Sequence, residues 1–205
     1  MISRITTKLY NFRTNGMPGQ PANLRKLATW NVGGWTHPGQ ARDEKLNDAI
    51  RAHLSRGPVA LQETHWGVEQ PTQLVTLLPG VQIVATPSQT KNTRASGGAA
   101  ILLPIGYHKL NTHTVLPGRI ITAQVELRGA KFRLVSIYLH PDAVKQELHS
   151  LLRYLKTLDL REWAFLMGDF SRADALAQED WHRLLPPILS FDAPPCVVPR
   201  GSVGD

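Results

Sequence analysis

Apolar residues in this chain come in runs too short for buried helices, and three of those runs close on a polar residue. Lys26 to Val32 carries Asn31 at its end, Val59-Ala60-Leu61-Gln62 leads into Glu63, and Trp163 to Met167 leads through Gly168 into Asp169. Further runs of strand length are Val81 to Ala85, Gly97 to Leu103, Ile120 to Leu127 and Lys131 to Leu139. Short apolar runs bounded by Gly, Pro and Asn are strand signals, and a continuous one such as Gly97 to Leu103 belongs to a strand covered on both faces. Arg128-Gly129 joins the runs at Ile120 and Lys131 as a tight hairpin.

Between these runs the period changes. Leu46, Ala49, Ile50 and Leu54 fall at helical spacing within Arg42 to Ser55, and Gly57-Pro58 stops that helix. Pro71 to Leu78 predicts a short helix. Pro141-Asp142 opens a longer one, with Val144, Leu148, Leu151, Leu152, Leu155 and Leu158 on one face to residue 158. A weaker helix is expected from Asp174 to Leu185, and the polar stretch 86–96 reads as a loop. Hairpin strands mixed with helical crossovers predict an α/β (α+β) fold, two stacked mixed β-sheets flanked by helices in a four-layer sandwich. The 205 residues suffice for one large domain or two small ones. Residues 1–24 read as a basic flexible leader broken by Gly16, Pro18, Gly19 and Pro21, residues 25–185 as the folded domain, and residues 186–205 as a proline-rich tail.

Charge narrows the partner. The chain has 23 Lys+Arg against 16 Asp+Glu, a formal +7. Residues 1–42 contain no acid, and neither does the stretch between Glu69 and Glu126, which carries Lys91, Arg94, Lys109 and Arg119. Such a surface attracts polyanions such as nucleic acid, acidic membrane lipid or phosphorylated substrates, although many basic domains bind nothing anionic. The single cysteine, Cys196, excludes a disulfide framework and a cysteine-rich zinc site. With no apolar N-terminal stretch and no run long enough to span a bilayer, the expected location is intracellular, nuclear or cytoplasmic, with no membrane partner.

A polar residue at the end of a buried strand is where layered α/β folds place their sites, although such residues also cap helices and close turns. Two carboxylates on separate strands, Glu63 and Asp169, suit Mg²⁺, which takes one or two carboxylates, keeps several waters and completes its shell with substrate phosphate. Mn²⁺ would serve similarly.

The ordered set Thr29-Trp30-Asn31-Val32, Leu61-Gln62-Glu63-Thr64-His65, Gly97-Gly98-Ala99-Ala100-Ile101-Leu102, Ser136-Ile137-Tyr138-Leu139-His140-Pro141 and Gly168-Asp169-Phe170 resembles the endonuclease/exonuclease/phosphatase superfamily. Within it, the set is most similar to the apurinic-type endonuclease domain of LINE-type (non-LTR) retrotransposons, over residues 25 to 173. The resemblance implies that Asn31 orients the acids and phosphate, Glu63 ligates the metal, Tyr138 sits against the scissile phosphate, and Asp169 activates water. His140 would be a candidate general acid, as histidines are elsewhere in the superfamily, while His65 and Arg94 are candidate substrate contacts. It also implies DNA as a partner and a reverse transcriptase domain in an intact element.

Three departures bear on activity. Gly33 stands where relatives often carry Asp or Asn. Ser171 replaces the second asparagine of Gly-Asp-Phe-Asn; its hydroxyl keeps a donor but is shorter than an amide. No Ser-Asp-His motif follows Asp169, so the domain is expected to be C-terminally incomplete, with its last strands missing and its activity weakened or lost. The readings that follow are a Mg²⁺-dependent phosphodiesterase that nicks DNA, an inactive nuclease-like fragment that binds nucleic acid, and a phosphoesterase of the same fold acting on another phosphoester.

Overall fold

The computed structural model describes residues 8–13, 27–35, 43–91, 94–139, 149–150, 153–154, 157, 163–169 and 190–191. In chain order the elements are β1 (Lys8–Arg13), β2 (Ala28–Asn31), α1 (Glu44–Leu54), β3 (Val59–Gln62), α2 (Gln70–Leu77), β4 (Gln82–Thr86), β5 (Gln89–Lys91), β6 (Arg94–Ser96), β7 (Ala99–Leu103), β8 (His108–Leu116), β9 (Ile120–Leu127), β10 (Ala130–Tyr138), β11 (Trp163–Asp169) and β12 (Ser190–Phe191). They build a four-stranded sheet in the order β2-β3-β7-β4, a six-stranded sheet in the order β12-β1-β11-β10-β9-β8, and a ribbon of β5 and β6.

The four-stranded sheet begins with a parallel pair, Ala28 opposite Val59 through Asn31 opposite Gln62. Parallel neighbours need a crossover, and α1 supplies it. Glu44 lies in the first turn of α1 and Arg51 in the last, each in a favourable sense for the helix dipole. Its buried Ile50 and Leu54 join Trp35, Val59, Leu61, Trp66, Leu74, Leu78, Ala100 and Leu102 in one apolar cluster. The opposite face of the same sheet, through Ala60, Val84, Ala99, Ile101 and Leu103, packs on Ile121, Ala123, Val125, Phe132, Leu134, Phe165 and Met167 of the six-stranded sheet. Alternate residues of β7 thus enter two different cores. This explains why Ala99–Leu103 is apolar without alternation.

Phe132 lies at the centre of the inter-sheet core. It meets Tyr107 edge-on at 6.3 Å and Phe165 at 5.7 Å, the arrangement favoured by the ring quadrupoles. Burial raises the Tyr107 phenol above its ordinary range. On the outer face of the six-stranded sheet, the Tyr154 hydroxyl meets Thr122 Oγ1 at 2.9 Å and accepts from Arg133 Nη1 at 3.3 Å, and the Tyr154 ring stacks on His113 at 5.4 Å. His149, Ser150, Arg153 and Tyr154 are helical. Helix, sheet, sheet and helix make the four layers read from the sequence. The rest of the helix expected to residue 158, and the one expected at 174–185, lie outside the described residues.

Four expectations need correction. Residues 8–13, read as part of a flexible leader, form β1, which pairs antiparallel with β11 from Lys8 opposite Gly168 to Phe12 opposite Ala164. Tyr10 and Phe12, both strand formers, were the available signal, and the turn residues after them obscured it. In the tail, Ser190 and Phe191 pair with Arg13 and Phe12. The supposed loop 86–96 contains the ribbon of β5 and β6, with Lys91 opposite Arg94. β8 was missed because it is a sheet edge: its residues from His108 to Thr114 are exposed, so no apolar alternation marks it. No helix among the described residues is long and apolar enough to cross a membrane.

Phe132→Ala should lower the free energy of unfolding by about 3–5 kcal/mol, the range for excising a buried phenylalanine from a core. Urea unfolding measures it, and a loss below about 1 kcal/mol would be incompatible with this packing between the sheets.

Candidate active site

The candidate residues gather where β2, β3, β10 and β11 end. β2 delivers Asn31 and turns through Val32-Gly33-Gly34-Trp35, while β3 delivers Gln62 and continues as Glu63-Thr64-His65-Trp66. Backbone hydrogen bonds zip the two loops together: Val32 N to Gln62 O at 2.9 Å, Gly34 N to Glu63 O at 2.7 Å and Trp35 N to Thr64 O at 2.9 Å. The second loop lies on a third, through Thr64 N to Gly98 O at 3.3 Å and His65 N to Gly97 O at 2.9 Å. Gly98 N donates in turn to Gly118 O at 2.8 Å, and Tyr138 N to Arg119 O at 2.8 Å. One ladder of main-chain bonds therefore runs from the end of β2, across both sheets, to Tyr138.

Two features hold the ladder in place. Trp35 and Trp66 are fully buried beneath it, 5.6 Å apart, and Trp66 Nε1 donates to Trp35 O at 2.6 Å. Gly97 and Gly98 adopt φ of +81° and +90°. A Cβ on Gly97 would strike Arg119 Nη1 and Gly118 O, and one on Gly98 would strike Thr64 Oγ1. The loops can stack this closely only because both positions lack a side chain. Glu63 and His65 also take positive φ, +53° and +56°. Non-glycine residues held there cost about 1–3 kcal/mol each and concentrate at functional sites.

Tyr138 is buried, and its hydroxyl donates to Glu63 Oε1 from the opposite sheet. The Arg119 guanidinium lies 4.9 Å from the centre of the Tyr138 ring, and its Nη2 donates to Ser96 Oγ at 3.4 Å. Asn31 Oδ1 accepts from Gly33 N at 3.0 Å, an Asx-type turn that orients the amide. Tyr138 stands directly opposite Asp169 in the parallel β10–β11 pair. Asn31, Glu63, Tyr138 and the backbone of Asp169 are thus brought to one end of the sandwich. His65 sits half-buried against Gly34, where a Cβ would come within 2.8 Å of its Nδ1. Arg94 is on β6 at the ribbon. His140 and Ser171 lie outside the described residues.

The donor set is one of hard oxygens: the Glu63 carboxylate, one oxygen of which accepts a hydrogen bond from Tyr138, and the Asn31 amide. That chemistry fits a hydrated Mg²⁺ better than a metal needing several protein ligands. Among the described residues no group of three or more His, Cys, Asp and Glu side chains stands together as a metal site.

Arg119 escaped the sequence reading as a site residue. Its only signal was a cation placed directly after Gly118 and before a buried strand. Gln62 in β3 and Ser136 in β10, polar residues inside apolar strands, carry no local signal of a role beyond their place in the motifs.

No protein-family model and no curated protein sequence matches the chain. Solved structures do. An endonuclease/exonuclease/phosphatase family protein from Bacteroides thetaiotaomicron aligns over 70% of this chain and 61% of its own at 13% identity and a TM-score of 0.51. The AP endonuclease of Leishmania major aligns over 80% and 55% at 17% identity and 0.52. The 3′ phosphatase NExo from Neisseria, solved with a product DNA hairpin, aligns over 76% and 62% at 20% identity and 0.53. The chain spans about three fifths of the length of these proteins.

Gly98→Ala and Gly129→Ala both force alanine into positive φ, +90° and +80°, but only Gly98 faces a neighbour within reach. Gly129→Ala should cost about 1–2 kcal/mol, the ordinary left-handed penalty. Gly98→Ala should cost more, and equal losses on urea unfolding would refute the stacked-loop arrangement.

With two stacked sheets, flanking helices and these strand-end residues, the chain has the fold of the endonuclease/exonuclease/phosphatase superfamily.

Proposed function

We propose that the chain is a Mg²⁺-dependent phosphodiesterase of the DNA endonuclease type. The observation that carries this reading is the hydrogen bond from Tyr138 to Glu63 across the two sheets, with Asp169 beside Tyr138 and Asn31 beside Gln62. Glu63 would hold the cation through its carboxylate, with the Asn31 amide close to the same shell. When bound, Mg²⁺ supplies charge stabilisation at the phosphoryl oxygens. Tyr138, held by Arg119, keeps that carboxylate in one orientation through its hydroxyl, and with substrate bound the same single proton would turn from Glu63 to a phosphate oxygen. Asp169 accepts a proton from the water that attacks phosphorus as the bond to the leaving oxygen breaks. His140 is assigned the proton donated to that oxygen, His65 and Arg94 contacts to the flanking phosphates, and Ser171 a hydroxyl donor to the phosphate.

DNA is favoured as substrate by the net charge of +7 and the two acid-free stretches, the first of which carries Asn31. The AP endonuclease and the DNA-bound 3′ phosphatase among the structural neighbours are consistent with this choice. The motif set Leu61-Gln62-Glu63-Thr64-His65 to Gly168-Asp169-Phe170 favours an origin in a LINE-type retrotransposon, whose intact form would include a reverse transcriptase. Gly33 and Ser171 stand where the resemblance implies amide or acid groups, so turnover is weak in this reading. Those same departures support a second reading, a nucleic-acid-binding protein without turnover.

Supercoiled plasmid in Mg²⁺ separates the two. The phosphodiesterase reading expects slow nicking that EDTA stops and Glu63→Ala reduces about 100-fold or more, the rate equivalent of the several kcal/mol a bound cation contributes. Nicking unchanged in Glu63→Ala would overturn it. Plasmid binding that weakens with salt, without nicking by folded protein, would establish the second reading.

A further inference from the structure

Beneath the site, three polar side chains cross the otherwise apolar interior. Thr29 Oγ1 donates to Gln62 Oε1 at 3.0 Å, Gln62 Nε2 donates to Ser136 Oγ at 3.2 Å, and Ser136 Oγ donates to Leu61 O at 3.2 Å. Their exposures are 4%, 1% and 0%, so no solvent substitutes for these partners. The direction of the chain is determined by its end. Ser136 gives its only proton to Leu61 O, so it must accept from Gln62, which turns the amide nitrogen toward Ser136 and the amide oxygen toward Thr29.

The positions matter as much as the bonds. Thr29 is two residues before Asn31 on β2, Gln62 immediately precedes Glu63, and Ser136 is two residues before Tyr138 on β10. β2 and β3 belong to one sheet and β10 to the other. An apolar interface between sheets is non-directional and tolerates sliding, whereas a hydrogen-bonded glutamine allows one offset and one separation. The bridge therefore ties together the three strands that deliver Asn31, Glu63 and Tyr138, one or two residues below where each is used.

We propose that Gln62 is a positioning residue, holding Glu63 and Tyr138 at the separation that a divalent cation and a phosphodiester require across the two sheets. This rests on the phosphodiesterase reading above. Its structural competitor is that the bridge merely satisfies buried polar groups. The two differ in what happens when the polar groups are all removed: replacing every partner by apolar groups of similar shape can restore stability, but it cannot restore a directional constraint.

The test compares the full chain with Gln62→Leu, with Ser136→Ala and with the triple variant Thr29→Val/Gln62→Leu/Ser136→Ala. The readouts are thermal unfolding, Mn²⁺ binding by electron paramagnetic resonance without DNA, and Mg²⁺-dependent nicking resolved into kcat and KM. Gln62→Leu should lower Tm, and the triple variant should regain most of that loss. Mn²⁺ affinity and kcat should nevertheless stay about 10–100-fold down in the triple variant, the usual cost of losing the groups that orient a ligand, with KM little changed. Ser136→Ala, the smallest excision, should show the same direction, and it decides the matter if the triple variant does not fold. A triple variant, or failing that Ser136→Ala, with wild-type Mn²⁺ affinity and kcat overturns the positioning role alone. A folded wild-type chain that neither binds Mn²⁺ nor nicks DNA overturns the phosphodiesterase reading and the bridge with it.

Discussion

The four-stranded sheet is covered on both faces, by helices on one side and by the six-stranded sheet on the other, and this double burial constrains everything else. A strand with no wet face has nowhere along its length to display a reactive group. Chemistry is displaced to the strand ends, and it is there that Asn31 and Glu63 stand. Among the polar side chains that do lie inside, Thr29, Gln62 and Ser136 bond to one another and to Leu61 O. The glycines at positions 97 and 98 follow from the same constraint, because loops stacked over a dry sheet have to meet backbone to backbone.

Placing the site on a ladder of main-chain bonds has an energetic side. Main-chain bonds carry the platform, and they close only because Gly97 and Gly98 leave room for them. The cost is local. Glu63 and His65 sit in a backbone region that side chains disfavour, flanking a buried Thr64. The tightly packed Trp35–Trp66 pair beneath supplies the compensating burial.

Much of this arrangement was legible in the residues. Buried strands such as Val59–Gln62 and Ala99–Leu103 announced themselves by unbroken apolar runs, and α1 by its period. Asn31, Glu63 and Asp169 stood out because a polar residue closing such a run is unusual. Elements that lie at an edge were not legible: β8 is wet along most of its length, and β1 and β12 are strands only because a partner strand is there to pair with them. Sequence patterning reports burial, and edge strands are specified by pairing instead. For the same reason Arg119 was invisible as a site residue. Its importance is its position over the Tyr138 ring, a contact between distant segments that no local pattern encodes.

The pairing of Lys8 with Gly168 has a consequence for how the protein comes into being. The strand that carries Asp169 lies between β10 and a segment from the opposite end of the chain. Closing so long a loop costs entropy before any contact returns it, and folds dominated by such pairings form slowly. During synthesis β1 leaves the ribosome before β11 and lacks that partner until β11 follows. A chain caught before β1 and β11 pair would carry an open β-edge, which is a point of exposure to self-association during synthesis.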